Sequence, residues 1–141
     1  MTIEGFGNIE FNKRDKEWFG LIDNICPGNK VELSISVENI DQDLNKKIEL
    51  VKKFAADYEA IAANFYDFAY KKYKNTEFEV TRNEIEKMYF LAAINLKDDN
   101  ETWWLTLAPS FNVTSIYNHF LRFTTQNRKI IWANFDLTTD S

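Results

Sequence analysis

Residues 102–108 read Thr102-Trp103-Trp104-Leu105-Thr106-Leu107-Ala108, and their alternation is that of a β-strand. Successive side chains of a strand point to opposite faces, so the adjacent tryptophans cannot share one. Trp103, Leu105 and Leu107 form an apolar row suited to burial. Trp104 and Thr106 then face the other way, where an indole needs either a second covering layer or a role in recognition. Both arrangements remain open at this point. Pro109 ends the strand, and Lys97-Asp98-Asp99-Asn100-Glu101 before it is a hairpin turn. It leads back to a strand in which Phe90, Ala92, Ile94 and Leu96 alternate with less apolar neighbours.

Downstream, a three-residue loop at Gln126-Asn127-Arg128 opposes Phe123 to Ile131, Leu121 to Ala133 and His119 to Phe135. The same register sets Thr124 against Ile130 and Arg122 against Trp132 on the opposite face, a spacing at which a guanidinium stacks on an indole. The last strands thus form a C-terminal antiparallel meander. Trp104, Arg122 and Trp132 meet on one side of it, as a patch rich in the residue types that dominate protein–protein hot spots.

Upstream, the first forty residues predict a three-stranded N-terminal antiparallel meander. Its strands are Asn8–Phe11, Trp18–Ile25 and a clean alternation of Val31, Leu33, Ile35 and Val37 with Glu32, Ser34, Ser36 and Glu38. Cys26-Pro27-Gly28-Asn29 between the last two has the Pro and Gly of a type II turn. From about Asp41 to about Lys74 apolar residues recur at spacings of three and four, which predicts a long amphipathic helix; in one piece it would run about 50 Å, more than the width of a domain of this size, so a bend or an overhang is expected. Small Ala at many seam positions suits packing on a sheet better than a coiled coil. Thr81-Arg82-Asn83-Glu84 is a capping box opening a short helix. The fold class is α+β, one domain over residues 1–141, with the long helix packed on the sheet.

The composition, 45% apolar and 16% aromatic, is that of a folded chain, and no apolar run reaches the roughly 18 residues that span a bilayer. The N-terminus lacks the pattern of a secretory signal, and Cys26 is the only cysteine, so a cytoplasmic location is expected. A net charge of −5 argues against nucleic acid; it suits a basic protein partner, though most acidic domains are acidic merely for solubility. Four glycines, at 5, 7, 20 and 28, build no phosphate-binding loop, and one His with one Cys supplies no zinc ligand set. Asp98, Asp99 and Glu101 lack the spacing of a calcium loop and read as a solvated turn. No cofactor is implied and no catalytic residue stands out. His119 is the residue able to titrate near neutrality, and with Tyr58 it is the candidate for a pocket between helix and sheet.

At Gly7-Asn8-Ile9-Glu10-Phe11, Trp18-Phe19-Gly20, Asn118-His119-Phe120-Leu121-Arg122-Phe123 and Asn127-Arg128-Lys129-Ile130, the chain resembles a group of small uncharacterised α+β domains. These are encoded in Bacteroides-like bacterial genomes, some in predicted polymorphic-toxin immunity neighbourhoods. The resemblance implies a toxin-neutralising immunity protein and assigns no catalytic residue. Three readings follow: a non-enzymatic protein-binding module, a small-ligand protein or enzyme with a pocket between helix and sheet, and a structural protein self-associating through the long helix.

Overall fold

The computed structural model describes residues 1–135, which form an α+β fold of one seven-stranded mixed sheet, a two-stranded ribbon and three α-helices. The chain begins with β1 (Thr2–Ile3) and β2 (Gly7–Asn8), paired as the ribbon. β3 (Glu10–Asn12), β4 (Glu17–Cys26) and β5 (Asn29–Ser36) make the first antiparallel meander. Then come α1 (Asn45–Ala56), α2 (Tyr58–Tyr73) and α3 (Arg82–Met88). β6 (Tyr89–Leu96), β7 (Thr102–Pro109), β8 (Leu121–Gln126) and β9 (Lys129–Asn134) form the second meander. Strand order follows the sequence, and β5 lies beside β6 in parallel, which fuses the two meanders.

Parallel neighbours cannot be joined by a tight turn, so the chain must leave the sheet and return. Residues 37–88 do this and carry all three helices. The helices cover one face. Val31, Leu33 and Ile35 have no exposed surface and share that face with Ile94, Leu105, Leu107 and Phe123. Against it press Val51 and Phe54 of α1 and Phe65 and Ala69 of α2, with ring centroids 4.8 Å apart for Phe54–Trp103 and 6.1 Å for Phe65–Phe123. Each such aliphatic or aromatic side chain contributes about 2 kcal/mol of transfer free energy.

The ribbon lies on the same face as the helices, because Gly20, the partner of Leu33 in β4, approaches it closely. A Cβ on Gly20 would collide with the Asn8 carbonyl and stand 2.9 Å from Ile9 Cγ2. Ile3 and Ile9 are buried there. The expected first strand at Asn8–Phe11 is in fact split, with β2 and β3 on either side of Ile9, and the meander has this ribbon in addition.

The expected bend or overhang of the long helix is resolved as an interruption, and two further expectations are corrected. The long helix is two: Asp57, at φ −99° and ψ 12°, interrupts it, and no Pro or Gly is involved. The Asp57 carboxylate is bonded by Arg128 from the β8–β9 turn, so a tertiary contact sits at the bend. In β6 a bulge at Ala92 changes the phase, so Tyr89 and Leu91 point inward and Phe90 outward. The last hairpin has a two-residue turn, Asn127-Arg128, both at positive φ (50° and 68°), followed by a bulge that leaves Ile131 unpaired on the border strand β9. Arg128 stands where such turns favour glycine, at a cost of about 1 kcal/mol. The capping box is present with both of its bonds, Glu84 N to Thr81 Oγ1 at 3.2 Å and Thr81 N to Glu84 Oε1 at 3.1 Å.

A buried cation pins α1 to the β6–β7 turn. Lys47 is 1% exposed, and its ammonium donates to Lys97 O (3.3 Å), Asp98 O (3.0 Å) and Asn100 Oδ1 (2.6 Å). The Asp98 carboxylate is 3.4 Å away. Lys47→Met keeps the apolar stem but strands those acceptors, so a loss of about 3 kcal/mol is expected, read as a clear fall in Tm by circular dichroism. Gly20→Ala is expected to destabilise by about 1–3 kcal/mol through forced displacement of the ribbon. An unchanged Tm for either variant would contradict the packing described.

Candidate functional site

Every described covering element lies on one side, so among the described residues nothing covers the opposite face of the sheet. The registers carry a single row across it: Glu10, Phe19, Ser34, Asn95, Trp104, Thr124 and Trp132, one from each strand. A second row holds Leu21, Glu32, Ala93, Thr106, Arg122 and Asn134. None of these side chains is buried. Trp104 is 52% exposed and Trp132 53%, and Phe19, Leu21, Phe90 and Phe120 are exposed as well. The two tryptophans flank Thr124 from neighbouring strands, about 10 Å apart.

The expected Arg122–Trp132 pairing does not form as a direct cross-strand pair. Trp132 opposes Thr124, and Arg122 opposes Asn134, so Arg122 and Trp132 are diagonal neighbours on one face. The Arg122 guanidinium lies 5.4 Å from the centre of the Phe120 ring. Trp104 instead receives the Lys97 ammonium at 3.6 Å from its ring centroid. Nearby Glu17 is held above the usual carboxylate range, first by partial burial and then by Asp15, with Lys97 opposing. Asn95 Oδ1 in the central row is buried and has no hydrogen-bond partner among the described residues.

His119 and Tyr58 are not brought together. His119 lies before β8 rather than opposite Phe135, and its Nε2 is 2.8 Å from Tyr73 Oη and 3.4 Å from Tyr89 Oη. That cluster continues through Tyr73–Tyr89 at 2.9 Å, and Tyr66 Oη donates to Tyr89 O at 2.8 Å. Tyr58 opens α2 and His119 packs on Tyr73, which closes it, so the length of the helix separates them. A cavity of about 450 Å3 does lie between the helices and the sheet, but neither residue lines it.

Sequence reading missed Phe19, Leu21, Phe90 and Phe120 on the open face. Trp18-Phe19-Gly20-Leu21-Ile22 is too uniformly apolar to show an alternation, and the usable signal was its partner strand, whose wet side carries Glu32 and Ser34. Among the described residues no group of three or more His, Cys, Asp or Glu is placed to hold a metal ion, and no helix is long and apolar enough to cross a membrane. No protein-family model, curated protein or solved structure matches the chain.

The buried tyrosines set an alkaline limit. Burial, with a smaller effect of Cys26, pushes Tyr58 up to about 12, and burial pushes Tyr89 up to about 12 against the hydrogen bond from Tyr73. Burial raises Tyr66 and Tyr73 as well. Folded-state values above the ordinary 10.0 mean that the folded chain holds these protons more tightly than the unfolded chain. Their stabilisation is complete below pH 10 and is lost as pH rises toward 12. Tyrosinate absorbance is expected to rise together with loss of ellipticity in that window, and ionisation of these tyrosines in a chain still folded would contradict the burial.

Proposed function

We propose that the protein is a non-enzymatic binding module that receives a protein partner on the open face of its sheet. The observation that carries this reading is the pair of half-exposed indoles, Trp104 and Trp132, on a face that no described element covers. Contiguous exposed aromatic surface is rare on soluble domains and marks interaction sites. Seven strands at about 4.8 Å give a face on the order of 600 Å2, near the roughly 800 Å2 that each side of a standard interface contributes. Glu10, Glu17 and Glu32 occupy the β3–β5 half of it, and with the net charge of −5 they favour a basic partner.

The resemblance noted in the sequence makes a toxin-like basic protein, neutralised by binding, the first partner to test. Self-association through the long helix is disfavoured, since Val51, Phe65 and Ala69 of its apolar stripe are buried on the sheet.

Co-expression with the product of the adjacent gene is the direct test. A stoichiometric complex that weakens with added salt and loses at least ~100-fold in affinity in Trp104→Ala/Trp132→Ala is expected. A complex equally tight in the double variant would reject the face as the docking surface. The variant's Tm should stay close to that of the parent chain, because both side chains are already half in water.

A further inference from the structure

The cavity between helices and sheet is lined from both sides of the interruption at Asp57, by Leu50 and Phe54 of α1 and by Ile61 and Phe65 of α2. Trp103, Leu105 and Ile130 of the sheet form the opposite wall. Its volume of about 450 Å3 is within the range of small-molecule sites, and its walls are apolar and aromatic as such sites are.

Three polar features are concentrated at this cavity. Thr125, 8% exposed, is the inward-facing polar residue of β8, in a row otherwise made by Leu121 and Phe123, and it lines the cavity beside its cross-strand partner Ile130. Lys53, in the last turn of α1, lines the mouth. Arg128 reaches the same mouth from a left-handed backbone position where glycine would be easier. It spends one terminal nitrogen on Asp57, and Asn64 donates to its carbonyl at 3.1 Å, which ties the hairpin tip over the cavity. The rest of the guanidinium fork keeps further N–H donors. The turn thus holds the Arg128 side chain at the rim of the cavity, with its guanidinium braced on Asp57.

We infer that this cavity binds a small amphipathic carboxylate, whose apolar body, preferably aromatic, lies between Phe54 and Trp103 and whose acid group meets Lys53 and Arg128 at the mouth. Glu101 stands at the same mouth. It repels an anion that strays toward the β6–β7 turn, and so directs the head group to the two cations. The inference is independent of the open face, where Trp104 and Trp132 lie on the other side of the sheet.

The test uses the full chain and three probes with one body and different heads: 4-phenylbutyrate, 4-phenylbutylamine and 4-phenylbutanol. Calorimetry is expected to show saturable one-to-one binding of the carboxylate, at least ~10-fold tighter than the other two. Backbone amide shifts should move at Trp103 and Thr125 and stay still at Trp104. Lys53→Glu, an exposed substitution, and Arg128→Gly, which relieves the turn, should each lower carboxylate affinity at least ~10-fold in a chain that remains folded. Equal affinity for the amine, shifts confined to the open face, no saturable binding, or full affinity in both variants would each overturn the assignment.

Discussion

The structure depends on one pairing, the parallel contact between β5 and β6. Two neighbouring strands that run the same way force a long excursion between them, and here that excursion holds all three α-helices of the described chain. All three pack on one face, and the N-terminal ribbon joins them there through the close approach at Gly20. The covering material of the described chain thereby lies on one side. What the pleat delivers to the other side is left uncovered by the described elements: Ser34, Ser36 and Asn95, partly buried, in the middle strands, and the exposed rings of Phe19, Trp104 and Trp132 on either side of them.

Face assignments were legible in the sequence even where registers were not, and the reason is parity. The last hairpin has a two-residue turn plus one bulged residue, where the sequence suggests a three-residue loop. The two differ by an even step of register, so Trp132 slides from Arg122 to Thr124 without changing sides. The irregularity between Ile22 and Cys26 acts in the same way, and a plain count back from the Pro27-Gly28 turn already puts Phe19 and Leu21 with Ser34 and Glu32. In β6 the single bulged residue is an odd step, and there the sequence reading of Phe90 fails. The pleat is robust to pairs of errors and fragile to single ones.

Contacts between residues distant in sequence were not legible. Lys47 follows another lysine in an amphipathic helix, and nothing local separates the buried one from the solvated one. Its partners lie 50 to 53 residues away. The break at Asp57 has no Pro or Gly to announce it, because Arg128 acts there from 71 residues downstream. The cavity was invisible because its lining comes from α1, α2, β7, β8 and β9, segments far apart in sequence. His119 was correctly singled out as unusual, but its surroundings are a set of tyrosines rather than a cleft.

The bulge at Ile131 also bears on how the protein keeps apart from its own copies. A border strand bearing Ile130, Ile131 and Trp132 would be a ready template for further strands, and stacking on it could propagate into fibrils. The unpaired residue breaks the regular spacing of free amides and carbonyls that an incoming strand would have to match. At the other border β3 is only three residues long. The sheet is thus closed to growth at both margins while its broad surface remains accessible, so the chain can display aromatic side chains without seeding its own polymerisation.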